Sequence, residues 1–111
     1  VLQRVREQTV VILEFYWDEA NISHIARHGV LPEEAEQVIL NEPFDIGYDP
    51  DSGEDRIEQI GETNAGRILV AVTTERGKQI RVVTCYEPSK AARLDYLAAK
   101  GAEYGTEDDE A

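Results

Sequence analysis

Arg56-Ile-Glu-Gln-Ile-Gly-Glu62, Arg67-Ile-Leu-Val-Ala-Val-Thr-Thr74 and Gln79-Ile-Arg-Val-Val-Thr-Cys-Tyr86 are three runs rich in β-branched and aliphatic residues. Each has the length and composition of a strand. Asn64-Ala-Gly66 joins the first pair and Glu75-Arg-Gly-Lys78 the second. Short connections that contain glycine turn a chain back on itself, so the three runs are expected to form an antiparallel meander.

Upstream, Thr9-Val-Val-Ile-Leu-Glu-Phe-Tyr16 has the composition of a further, buried strand. Asp18 suits the N-cap of a helix over about 19–28, with Ile22, Ile25 and Ala26 as its apolar stripe and Gly29 ending it. Pro32-Glu-Glu opens a second helix over about 32–41, buried through Ala35, Val38 and Ile39 and stopped by Pro43. Leu31 occupies its cap position and cannot accept a backbone hydrogen bond, a local inconsistency worth about 1 kcal/mol. Phe44 and Ile46 suit a short strand, and the acidic stretch from Tyr48 to Asp55 a loop. After the meander, Pro88 or Ser89 opens a helix to about Lys100, which Gly101 is expected to end. The order β-α-α-β-β-β-α predicts an α+β domain with a small, mostly antiparallel sheet and flanking helices. Residues 1–100 form that single domain, and residues 101–111 an acidic tail expected to be mobile.

The chain has 111 residues and a net charge of −12. That sum is uneven, with −11 over residues 17–62, +4 over residues 63–100 and −5 over the tail. The average argues against nucleic acid as a partner, whereas the basic third argues for it. A single cysteine, Cys85, excludes an internal disulfide and a multi-cysteine metal site. No apolar run approaches the roughly 20 residues of a membrane helix and no signal peptide is visible, so a cytoplasmic location without membrane contact is expected. There is no phosphate-cradling glycine loop or nucleophile elbow, which leaves little for a small-molecule enzyme.

Trp17-Asp-Glu-Ala-Asn-Ile-Ser-His-Ile-Ala-Arg-His-Gly-Val30, followed by Pro32-Glu-Glu-Ala-Glu-Gln-Val-Ile39, resembles the opening of the BrnT family of type II toxins. The Gly61 to Arg67 hairpin, the Thr74-Glu-Arg-Gly77 turn, the strand Ile80-Arg-Val-Val-Thr84 and the helix carrying Lys90, Arg93 and Tyr96 are similar to the rest of that pattern, in order. The resemblance covers about residues 14–100. It implies a RelE-like fold and a ribonuclease that inhibits translation, held silent by a cognate antitoxin. It also implies that RNA, free or on the ribosome, is cut through attack of a ribose 2′-hydroxyl on the adjacent phosphate, with no metal and no cofactor.

The matching positions are His28, Arg67 and Arg81 and, on the last helix, Lys90, Arg93 and Tyr96. The resemblance makes His28, Arg67, Arg81 and Tyr96 the catalytic candidates and Lys90 and Arg93 the RNA-binding ones. Arginine or lysine would stabilise charge on the phosphate, while His28 or Tyr96 would transfer protons. Strict alternation along the strand sets Arg81, Val83 and Cys85 on one face and Val82, Thr84 and Tyr86 on the other.

Each residue also has a structural reading. His28 before Gly29 suits a helix C-terminus, Arg81 could pair with an acid on a neighbouring strand, and Tyr96 could be core. His24 and His28 stand four apart as zinc ligands often do, but no third ligand is fixed nearby and the motif's glutamate is absent. The chain departs from the family pattern at Cys85-Tyr86-Glu87, where an Ala-Arg-type pair and further arginines are usual, and early in the first helix, where an expected lysine is replaced by Asn21 or lost through a one-residue shortening. Both changes remove positive charge. They favour an alternative in which the fold serves as a non-catalytic, acidic protein-interaction module. An exposed sheet edge leaves self-association into a homo-oligomer open.

Overall fold

A computed structural model of the chain describes residues 13–50 and 53–109. Its elements are β1 (Glu14–Tyr16), α1 (Glu19–Ala26), α2 (Pro32–Leu40), β2 (Phe44–Asp49), β3 (Arg56–Glu62), β4 (Ile68–Arg76), β5 (Gln79–Tyr86) and α3 (Lys90–Asp109). The α+β class is as expected. The five strands form one sheet in the order β1-β5-β4-β3-β2, antiparallel except where β1 runs parallel to β5. Residues 9–12 of the first expected strand lie outside the described residues, as do Asp51 and Ser52.

The order differs from expectation by one strand. Phe44 to Asp49 pairs along β3 as a six-residue edge strand, bulged between Asp45 and Gly47, and takes in Tyr48 and Asp49 from the expected loop. The last helix also runs through Gly101 to Asp109. Glycine within a helix costs only about 1 kcal/mol relative to alanine, and Ala98, Ala99 and Ala102 beside it favour the helix.

The sheet carries a core on each face. On one, α1 and α2 bury Ile25, Val30, Ala35 and Val38 against Leu69, Ala71, Val82 and Cys85, with Phe15, Trp17 and Ile39 packed around them. Trp17 packs there as well, and its indole N–H donates to Glu36 at 2.7 Å. On the other, Tyr96 of α3 packs with Ile60, Ile68, Val70 and Val72. Helix α2 crosses the sheet at Gly61, where a Cβ would lie 3.0 Å from Pro43 Cβ and 3.4 Å from Val38 Cγ1.

The expected alternation along β5 is incorrect. Val72 faces Thr84 while Thr73 faces Val82, so Val83 is an extra residue, a β-bulge. The bulge puts Val82 and Cys85, both fully buried, on the α1/α2 face. Arg81 pairs with Thr74 and shares the opposite face with Thr84 and Tyr86.

Helix starts follow local chemistry. Asp18 caps α1 by accepting from the Asn21 N–H at 3.0 Å, and the Asn21 carboxamide accepts from the Asp18 N–H at 2.8 Å. Asn21 is 2% exposed and also donates to the Tyr16 and Val82 carbonyls, tying α1 to β1 and to the bulged strand. At α2, Leu31 makes no side-chain cap; Glu34 instead reaches back to accept from the Leu31 N–H at 3.0 Å.

Candidate functional site

The sheet face opposite α1 and α2 is only partly covered by α3. At its open end, the register that sets Arg81 against Thr74 brings Arg76, two residues on, and Arg56, the first residue of β3, to the same side. These three arginines, with Asn21 and His24 of α1, line a polar groove of about 300 Å³.

Each guanidinium in the groove is partly neutralised. Arg81 Nη1 donates to Asp18 Oδ2 at 3.0 Å and its head lies 5.4 Å from the Tyr16 ring centre. Arg56 and Arg76 share Glu54, at 3.3 and 3.4 Å. The Asn21 N–H and the Arg81 guanidinium hold the Asp18 carboxyl below its ordinary value. Three guanidiniums therefore meet Asp18 and Glu54 here, with a histidine beside them and Asp49 of β2 in register with Arg56, so the groove gathers cations on an acidic protein. Arg56 Nε is buried and has no hydrogen-bond partner among the described residues.

His28 lies one helical turn from His24, with ring centres 5.6 Å apart, and 6.0 Å from the Tyr86 ring. It is exposed. Burial pushes the Tyr86 hydroxyl above its ordinary value, and Glu58 adds to the shift.

Arg67 occupies a different place. Its Nη1 donates to the Gly29 carbonyl at 3.0 Å and to Glu34 Oε1 at 2.9 Å, and its Nε donates to Glu87 Oε2 at 3.3 Å. Partial burial opposes its charge, but Glu34 and then Glu87 outweigh that and hold the guanidinium above its ordinary value. Arg67 thus clamps the α1–α2 connection to β4. Tyr96 is 5% exposed and donates its hydroxyl to Glu62 Oε2 at 2.7 Å, away from the arginine groove. Lys90 and Arg93 are exposed on the first turns of α3.

The structure therefore divides the expected set. Arg81 stands in the groove, with His28 one turn from His24 at its wall. Arg67 and Tyr96 are engaged with carboxylates elsewhere, and Lys90 and Arg93 stand on α3. Sequence reasoning missed Arg56, Arg76 and His24 as groove residues. Arg56 opens β3 and Arg76 closes β4, so the hairpin itself was the signal that their ends meet.

Burial raises the Cys85 thiol to about 12, so it stays protonated and is no nucleophile. Among the described residues, no group of three or more His, Cys, Asp or Glu side chains could hold a metal ion, and no helix is long and apolar enough to cross a membrane.

No curated protein matches the chain. A family model described as ribonuclease toxin, BrnT, of type II toxin-antitoxin system matches residues 17–91, which take in α1, α2, β2 to β5 and the start of α3. This match spans most of the chain, and its partner in such a system is an antitoxin. The chain belongs to the BrnT family of ribonuclease toxins.

Proposed function

We propose that this toxin is a metal-independent endoribonuclease that inhibits translation in the cytoplasm by cleaving RNA, free or on the ribosome. The observation that carries this reading is the convergence of Arg56, Arg76, Arg81 and His24 on one groove of the open sheet face. In the proposed reaction an imidazole, His24 or His28, takes the proton of a ribose 2′-hydroxyl. The freed oxygen attacks the adjacent phosphorus. The bond to the 5′-oxygen breaks, and that oxygen receives a proton from the other imidazole, which leaves a 2′,3′-cyclic phosphate and a 5′-hydroxyl. Negative charge grows on the phosphate oxygens during attack, and the groove's guanidiniums stabilise it, Arg81 foremost. Lys90 and Arg93 steer the RNA backbone. Arg67 and Tyr96 act as positioning residues, holding the His28 loop and α3 against the sheet.

The test is cleavage of single-stranded RNA by purified toxin in excess chelator, with the ends of the products identified, alongside arrest of cell-free translation. Arg81→Ala is expected to slow cleavage by about 10²–10³-fold, the usual loss when one preorganised donor is removed. Cleavage abolished by the chelator, or unchanged by Arg81→Ala, refutes this mechanism. One observation favours a second reading. Arg81 and Arg67 are both ion-paired, and Glu87 stands where the family pattern places positive charge. A parent protein that cuts no RNA yet binds its partner would establish the non-catalytic interaction module instead.

A further inference from the structure

Among the described residues, helix α3 rests on the sheet through one buried side chain, Tyr96. Beside that contact lies a groove of about 350 Å³, apolar along almost all its surface, between α3 and the strands β2 and β3. Phe44, Ile46 and Ile60 form one wall and Ala92, Tyr96 and Ala99 the other. Ile46 remains 50% exposed, and Leu94 and Leu97 on another side of α3 are 56% and 46% exposed. β2 is an edge of the sheet among the described residues. An apolar groove against an open strand, beneath a helix with exposed leucines, has the character of surfaces that bind proteins.

The charges around it select the occupant. Asp95 lines the groove, Glu62 accepts from the hydroxyl of the lining Tyr96, and Glu58 of β3 stands on the same sheet face, two residues from the lining Ile60. Against these stands Lys100, whose ammonium lies 5.9 Å from the centre of the Phe44 ring. Acidic, apolar walls repel RNA. A second copy of this chain would bring another −12 charges and is disfavoured as well. We infer that this groove seats the antitoxin, through a segment whose apolar side chains fill it and whose flanking lysines or arginines meet its acidic walls. The inference rests on membership of the toxin family and places the partner away from the arginine groove.

The probe is the protein encoded beside the toxin gene, titrated calorimetrically into the full chain and its variants. Ala99→Trp fills the groove from an exposed position and is expected to weaken binding by about tenfold or more. Asp95→Lys reverses an exposed charge and is expected to weaken binding and flatten its salt dependence. Arg56→Ala, in the other groove, is expected to leave the affinity unchanged. Thermal melts confirm that each variant is folded, and Asp95→Lys decides the matter where the tryptophan is not tolerated. Parent-like affinity in Ala99→Trp or, where that variant does not fold, in Asp95→Lys overturns the inference while leaving the ribonuclease reading intact. Loss of binding on Arg56→Ala alone would relocate the antitoxin to the arginine groove. Failure of the parent chain to bind overturns the partner assignment and the inference with it.

Discussion

Replacing Arg67 by methionine keeps most of the aliphatic stem and deletes the guanidinium. The partners lost are not of equal weight. The Arg67 and Glu34 side chains are 30% and 24% exposed, and charge-assisted hydrogen bonds in such a setting contribute about 1.5–3 kcal/mol. Glu87 is 63% exposed, and its pair with Arg67 adds about 0–0.5 kcal/mol. Glu34 is not stranded by the change, because it still accepts from the Leu31 N–H at 3.0 Å. The expected loss is therefore about 2 kcal/mol. For a domain of this size that lowers Tm by about 10 °C, readable in circular-dichroism melts. A double-mutant cycle with Glu34→Gln should return a coupling of about 1–1.5 kcal/mol, and the cycle with Glu87→Gln less than about 0.5 kcal/mol. Salt should erase the Glu87 coupling first, since that pair faces water. A Tm for Arg67→Met within about 2 °C of the parent would refute the clamp and return Arg67 to the cations free to meet a phosphate.

Gly61→Ala forces a Cβ against Pro43 and Val38 where α2 crosses the sheet. Overpacking of this kind costs about 1–3 kcal/mol, and a parent-like urea midpoint would contradict it. Asp18→Asn keeps the α1 cap, since asparagine serves there as well as aspartate, and removes the charge facing Arg81. The folded-state value of Asp18 lies below its ordinary 3.8, so its stabilisation is complete above 3.8 and disappears as pH falls through the lower, folded value. The parent should thus lose stability on acidification more steeply than the variant, and equal slopes below pH 3.8 would count against the Asp18–Arg81 pair. Cys85 is shifted the other way, from 9.0 to about 12, so its contribution is intact below 9.0 and declines as pH rises toward 12. A thiol reagent at neutral pH should modify only the unfolded chain, and rapid labelling of the native protein would show that Cys85 is accessible.

What the sequence disclosed was local. The meander, the Asp18 cap and the Pro32 helix start each depend on neighbours within a few residues, and each is present. What it concealed depends on register. One extra residue at Val83 regroups every later side chain on β5, and no propensity marks where a bulge falls. The end of α3 was misplaced because Gly101 was weighed as a terminator although its φ is not left-handed. The Arg67–Glu87 pair joins residues 20 apart, and the Arg81–Asp18 pair residues 63 apart. Cations that looked free in the sequence are therefore partnered in the fold. Conversely, Arg56 lay in the segment dismissed as acidic and gains its meaning from Arg76 across the hairpin.

This rearrangement also bears on the conflict between the charge of −12 and the proposed RNA substrate. Coulomb interactions near a surface are local, because at physiological salt the screening length is about 8 Å. In the proposed function an approaching phosphate meets the three guanidiniums of the groove, with Asp18 and Glu54 as their partners and Asp49 of β2 in register with Arg56. Those pairs do not disable the groove. A carboxylate that holds an empty arginine in place fixes its position before a phosphate arrives, and preorganised donors stabilise developing charge better than mobile ones. In the inference drawn above, Asp95 and Glu62 beside the apolar groove act on a different visitor. There they would make the apolar groove unattractive to nucleic acid and attractive to a basic protein. The same folding rules that pair Arg56 with Glu54 at one end of β3 leave Glu62 beside Tyr96 at the other.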